Sequence, residues 1–176
     1  MDSSIIVIFT HGWHHNADPK DDNVKSFQKL LSQLALAQSK SDTPRKVRGV
    51  YLGWRGDSVI GPVIEYFDFY DRKEGAHRVG FGATPVFLEI ERISKQNKEN
   101  KLITIGHSFG GAVTYTALAP ILQSRFLDTR KGNDIVEGFG DLVLLVNPAF
   151  EANLHMPLFQ LTQDNCRPYN KNQPVR

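Results

Sequence analysis

This chain of 176 residues has a single cysteine, a small net charge and only short apolar runs. Cys166 is the single cysteine, so an internal disulfide is excluded, and we expect a reducing, cytoplasmic compartment. The formal net charge of +2 gives no reason to expect nucleic acid or an anionic membrane as a partner. The apolar run after Met1 carries no basic region and is too short to span a bilayer, so we predict neither a secretory signal nor a transmembrane segment. The sequence leaves the oligomeric state open.

The composition is that of an ordinary globular domain, with 40% hydrophobic and 23% charged residues. A chain of this length buries roughly 70% of the surface that its unfolded form exposes. We therefore predict one domain over residues 1–176, with a sizeable core.

Four short apolar segments, rich in β-branched residues, are predicted as strands. They lie at Ile5–Phe9, Val47–Trp54, Lys101–Ile105 and Asp141–Asn147. The first and the last are predicted to be buried strands. Helical segments separate them, so the predicted class is α/β, with a mostly parallel sheet of at least four strands flanked by helices.

Three helices follow from periodicity and capping signals. The first places Val24, Phe27, Leu31 and Leu34 on one face, with Asp21 or Asp22 as its cap. The second is predicted at Pro85–Gln96, with Thr84 as N-cap and with Val86, Ile90 and Ile93 on one face. The third follows Ser108 and is expected to kink or end at Pro120.

The most informative segment is the run GHSFGG, which joins a strand to a small-residue helix. It has the G-x-S-x-G pattern of a nucleophile elbow, with Ser108 at the apex. A serine in such a tight turn has a strained backbone, and bulky side chains two residues away on either side would clash. Gly106 and Gly110 meet that requirement. Ser108 is therefore the predicted nucleophile.

Together with a strand ending in His11-Gly12 and another ending in Asn147-Pro148, this turn resembles the α/β-hydrolase family of serine esterases and lipases. The resemblance covers about Ile5–Phe150. It implies an oxyanion hole made by the backbone amides of Trp13, or else Gly12, and of Phe109.

The resemblance also implies an acid and then a histidine downstream of the serine. His155 is the only downstream histidine in the sequence, and Asn147 stands where some lipases carry the acid. One hypothesis is that the chain is a fragment whose acid and histidine lie beyond Arg176. The other is an irregular pair formed by Glu151 and His155.

Residues 55–82 form a long segment between the second strand and the second predicted helix. Its ends are rich in glycine, and its centre carries four aromatic residues among acidic ones, namely Tyr66, Phe67, Phe69 and Tyr70. One interpretation is a lid or acyl-binding wall over Ser108. The other is a short helix whose aromatic side chains fill the side of the core.

The predicted function is hydrolysis of a carboxylic ester, on a small molecule or a lipid, through an acyl-enzyme on Ser108. This chemistry needs no metal or organic cofactor. Three histidines within five residues, His11, His14 and His15, suggest a metal site only weakly, because no cysteine or carboxylate pair with ligand spacing accompanies them. Two alternatives stay open: a non-catalytic binding domain of the same fold, and a domain that binds a phosphate-bearing ligand at Gly106–Gly111.

Overall fold

Four parallel strands form the centre of the molecule, in the order β2-β1-β3-β4. The computed structural model describes residues 3–55, 65–129 and 138–162. Its strands are β1 (Ser4–Thr10), β2 (Lys46–Leu52), β3 (Lys101–His107) and β4 (Leu142–Val146). Its helices are α1 (Asp22–Gln38), α2 (Glu65–Ser94), α3 (Phe109–Thr129) and α4 (Ala152–Thr162). The predicted α/β class, with a parallel sheet of at least four strands, is confirmed.

Helices cover both faces of this sheet. On one face Phe27 of α1 packs against Ile5 and Val7 of β1. On the other face Phe87 of α2 and Leu118 of α3 pack against the opposite side of the sheet. Successive side chains of a strand point to opposite faces of the sheet. Ile5 and Val7 of β1 therefore belong to one core layer, and Ile6 and Ile8 belong to the other. The face predicted for α1 and its N-cap, Asp21, are confirmed.

The second predicted helix begins much earlier than expected. α2 starts at Glu65 and runs through Pro85, so Thr84 is not an N-cap; its hydroxyl donates to the carbonyl of Ala117 in α3 at 3.1 Å. The predicted face is wrong for Val86 and Ile93, which are 44% and 45% exposed, whereas Ile90 packs against the core as predicted. The buried side chains of this part of α2 are Phe87, Glu91 and Ser94.

One of the glycines that suggested a loop before Pro85, Gly80, serves helix packing instead. A Cβ on Gly80 would lie 2.6 Å from the Cβ of Thr116 and 2.7 Å from the carbonyl oxygen of Val113. Only glycine lets α2 approach α3 this closely. Residues 65–82 therefore belong to a helix of 30 residues, whereas residues 56–64 of the predicted excursion, and the side chains of its four aromatic residues, lie outside the described part of the structure.

Two further expectations near the C-terminus are corrected. α3 does not end at Pro120 but continues to Thr129. β4 was expected to be buried, yet Leu142, Leu144 and Val146 are 42–45% exposed. These three residues lie opposite Ile103, Ile105 and His107 of β3. They form a row on the same face of the sheet on which α1 packs against β1. α4 was not predicted from the sequence.

Among the described helices, none has the length and apolar character needed to cross a membrane.

Candidate functional site

Ser108 lies between β3 and α3 with a left-handed backbone, at φ 54°. A non-glycine residue in this region carries strain, which is common where a side chain must project from a tight turn. Backbone hydrogen bonds hold the strained turn in place. The amide of Ser108 donates to the carbonyl of Val146 at 3.0 Å, and its carbonyl accepts from the amides of Gly111 and Ala149, each at 2.9 Å.

The two glycines of the motif are needed for close backbone contacts. A Cβ on Gly110 would lie 2.1 Å from the carbonyl oxygen of Thr10 and 2.4 Å from that of His11. A Cβ on Gly106 would lie 2.7 Å from the carbonyl oxygen of Gly110. The turn can therefore form against the end of β1 only without side chains at both positions, as the motif predicted.

The loop after β1 passes directly beside the nucleophile. A Cβ on Gly12 would lie 3.1 Å from the Cβ of Ser108 and 3.2 Å from the carbonyl oxygen of His107. The predicted oxyanion loop and the predicted elbow thus meet in the structure. Phe109 is the first residue of α3, so its amide lies in the first turn of the helix, next to the elbow.

His11 fixes the orientation of this loop. Its ring is fully buried, its Nε2 accepts from the amide of Trp54 at 3.0 Å, and its Nδ1 contacts the carbonyl oxygen of Gly12 at 2.8 Å. Because a backbone amide can only donate, Nε2 must be unprotonated and Nδ1 must carry the hydrogen. Burial lowers the pKa of His11, against the opposing effect of its bond to Gly12, so the ring is neutral.

This bond also orients the next amide. In a trans peptide the N–H of Trp13 points opposite to the carbonyl of Gly12. The carbonyl points to the His11 ring, which lies towards the end of β2, whereas Ser108 follows β3 on the other side of β1. The amide of Trp13 is therefore directed away from the β2 side. This geometry favours Trp13 over Gly12 as the upstream oxyanion donor.

Aromatic side chains surround the elbow. The ring of Phe109 is buried and meets Trp13 and Trp54 edge-on, with centroid distances of 6.0 and 6.5 Å. The indole nitrogen of Trp54 donates to the carbonyl of His11 at 2.8 Å. Ala149 and Phe150 pack against the same cluster. Ser108 thus lies beside an apolar environment, in which hydrogen bonds to a developing charge are stronger than in water.

A histidine and a carboxylate meet on the same loop. Nδ1 of His15 donates to the carboxylate of Asp21, at 3.1 and 3.2 Å from its two oxygens. The amides of Asn16 and Asn23 also donate to this carboxylate. Burial alone would raise the pKa of Asp21, but these hydrogen bonds hold it below its ordinary value. The sequence predicted Asp21 only as a helix cap, and the spacing of six residues gave no signal of the pair.

The downstream residues predicted as acid and base are not joined to each other. Glu151 pairs with the ammonium of Lys73, which lowers the pKa of Glu151. The ring of His155 packs against Tyr115 at 5.9 Å and Phe159 at 6.4 Å. Among the described hydrogen bonds, none connects Glu151 with His155, so the structure provides no geometric support for this pair as an acid–base unit.

Glu151 lies instead at a groove between three helices. The groove has a volume of about 570 Å³ and is lined by polar and apolar side chains of α2, α3 and α4, whose apolar atoms make up most of its surface. Two of the lining residues are hydrogen-bonded to each other: Nδ1 of His77 in α2 lies 2.7 Å from the hydroxyl oxygen of Thr116 in α3. The Lys73–Phe81 part of the predicted excursion is therefore helical and borders a groove.

The three clustered histidines have separate surroundings: His11 contacts backbone groups, the His14 ring stacks on Trp13, and His15 contacts Asp21. Within residues 3–55, 65–129 and 138–162, no group of three histidine, cysteine or acidic residues is placed to hold a metal ion.

Comparison with protein-family models, with curated proteins and with solved structures gave no match to this chain.

Proposed function

We propose that this protein is a serine hydrolase that cleaves carboxylic esters, as a lipase or carboxylesterase does, through an acyl-enzyme on Ser108. The observation that carries the proposal is the contact between the strained turn at Ser108 and the Gly12 backbone. The hydroxyl of Ser108 attacks the ester carbonyl, and the amides of Trp13 and Phe109 stabilise the oxyanion. Water then releases the acid. The residues need no metal for this sequence of steps.

Covalent labelling tests this function directly. A fluorophosphonate probe reacts with an activated serine, so we expect labelling of the wild-type chain and its loss in Ser108→Ala. Ser32→Ala is the matched control, because that hydroxyl is exposed and contacts only the carbonyl of Gln28 in its own helix. Labelling that persists in Ser108→Ala would contradict the assignment of the nucleophile.

A substrate series complements the probe. Hydrolysis of p-nitrophenyl esters of increasing chain length should depend on Ser108 at every length. An unreactive Ser108, together with no hydrolysis across the series, would instead support a non-catalytic binding domain. That alternative is favoured by the separation of Glu151 from His155.

A further inference from the structure

Two residues with a left-handed backbone lie side by side at the end of the sheet. Ser108 has φ 54° and Asn147 has φ 44°. His107 is paired with Val146 in the parallel register of β3 and β4. The residues that follow this pair are Ser108 and Asn147, which are therefore neighbours. Non-glycine residues rarely adopt this conformation, and they keep it only where the surrounding structure holds them. Asn147 thus shares both the position and the strain of the proposed nucleophile.

The hydrogen bonds that fix Ser108 come from both sides of Asn147. The carbonyl of Val146 accepts from the amide of Ser108 at 3.0 Å. The amide of Ala149 donates to the carbonyl of Ser108 at 2.9 Å. A fully extended chain would separate residues 146 and 149 by about 10 Å, whereas both contact the same residue here. The chain therefore turns sharply between them, and the left-handed backbone of Asn147 lies in that turn.

Pro148 restricts how this turn can form. A proline disfavours the right-handed helical conformation in the residue before it, so that way of turning is costly for Asn147. Pro148 also packs against the first turn of α3, because a Cβ on Gly111 would lie 2.8 Å from the Cβ of Pro148. The loop is thus held against the helix that follows Ser108, and the left-handed conformation provides the turn.

Asparagine suits this position because of its backbone preference. It adopts the left-handed region several-fold more often than most non-glycine residues. Asn147 is exposed, and its side chain makes no hydrogen bond within the part of the chain that the structure describes. Its backbone conformation is therefore what connects it to Ser108.

We propose that Asn147 is a positioning residue for the nucleophile, because its left-handed backbone directs the flanking carbonyl and amide to Ser108. The inference rests on the proposed hydrolase function. It differs from the role of the acid that some lipases carry at this position, since it requires no carboxylate.

The test is the rate of fluorophosphonate labelling at Ser108 in variants of Asn147. The rates should follow the ease of the left-handed conformation, with Asn147→Gly close to wild type, Asn147→Ala slower and Asn147→Val slowest. The valine variant should lose about 100-fold, the usual cost of a misplaced reacting group. Asn153→Val is the matched control, because that asparagine is exposed on α4, and it should leave the rate unchanged. Circular dichroism verifies that each variant is folded.

Steady-state kinetics with p-nitrophenyl esters separate the backbone of Asn147 from its side chain. A positioning role predicts a lower kcat with an unchanged KM in Asn147→Ala, and a kcat restored in Asn147→Gly. If the carboxamide itself bound substrate, Asn147→Gly would be as impaired as Asn147→Ala and would have a raised KM, which would overturn the inference.

The remaining outcomes also decide the matter. Labelling at the wild-type rate in both Asn147→Ala and Asn147→Val overturns the positioning role and leaves the hydrolase function intact. If the valine variant does not fold, the comparison of glycine with alanine decides, and a glycine variant no faster than alanine counts against the inference. An unlabelled wild-type chain contradicts the hydrolase function itself.

Discussion

Gly12 and Ser108 are separated by 96 residues in sequence, yet a Cβ on Gly12 would come within 3.1 Å of the Cβ of Ser108. This contact brings the loop after β1 to the turn after β3, across two neighbouring strands of the sheet. The predicted oxyanion hole combines the amide of Trp13 from this loop with the amide of Phe109 from this turn, so it requires the contact between them.

Gly12→Ala should therefore impair the site without unfolding the chain. The added methyl group must displace the loop by a few tenths of an ångström, which moves the Trp13 amide from its position. Loss of one oxyanion donor costs about 100-fold in rate. Ester hydrolysis measures the effect, with Gly75→Ala as control because a Cβ there meets no atom within 4 Å. A Gly12→Ala variant with wild-type activity would argue against Trp13 as a donor.

Ser108→Gly should be more stable than Ser108→Ala. Both variants lack the hydroxyl, but only glycine adopts φ 54° without strain. The left-handed conformation costs a non-glycine residue about 1 kcal/mol, and this is the expected difference in the free energy of unfolding. Urea denaturation measures it. Equal stabilities would mean that the turn stores no strain at this residue.

His11→Asn and His11→Gln should separate the two hydrogen bonds of that ring. The amide nitrogen of asparagine takes the place of Nδ1 and can still donate to the Gly12 carbonyl. The amide oxygen of glutamine takes the place of Nε2 and can still accept from Trp54. If the Gly12 bond orients the Trp13 amide, asparagine should retain more esterase activity than glutamine. The opposite order would assign the functional role to the Trp54 bond.

The buried ring of His11 should also make stability depend on pH. Burial lowers its pKa in the folded state from the ordinary 6.5. As pH falls through 6.5, the unfolded chain takes up a proton that the folded chain does not, so the free energy of unfolding decreases by up to about 1.4 kcal/mol per pH unit. Above 6.5 this dependence disappears. The pKa of His77 is also lowered by burial, so His77 contributes a dependence of the same sign. The measurement is therefore the slope of the unfolding free energy against pH, compared between wild type and His11→Asn. The slope of the variant should be flatter.

Gly80→Ala and Gly82→Ala should have opposite effects on stability. At Gly80 the new methyl group would meet Thr116 and Val113, and such overpacking costs about 2 kcal/mol. At Gly82, which is exposed and meets no atom within 4 Å, alanine favours the helix by about 1 kcal/mol. Thermal unfolding of the two variants measures the difference. Stabilisation by Gly80→Ala would contradict the close approach of α2 to α3.

The parts of the fold that local sequence determines could be predicted. β1, the face of α1 and the turn at Ser108 all follow from patterns within about ten residues. The start of α2 could not, because Gly80 reads locally as a helix breaker and its reason lies in Thr116, which is 36 residues away. Pro85 likewise reads as a first helical residue, although the helix has already formed before it.

The site shows the same division. Ser108, Gly106 and Gly110 belong to one motif, and their roles follow from steric demands of a single turn. The His15–Asp21 pair depends on how the loop folds back to the N-terminus of α1, which no periodicity records. Glu151 and His155 are close in sequence, but they have different neighbours in the fold. Glu151 pairs with Lys73 of α2, whereas the ring of His155, on α4, packs against Tyr115.

The exposed row on β4 has a consequence for the handling of the purified protein. Leu142, Leu144 and Val146 present apolar surface on β4, the outermost strand on its side of the sheet in the part of the chain that the structure describes, and exposed apolar surface of this kind promotes association between molecules. Sulfate salts strengthen such association. Leu144→Lys should raise the solubility limit while Ser108 remains as reactive as before. Rates measured over a range of protein concentrations then distinguish the reactivity of the serine from the tendency of the sheet edge to aggregate.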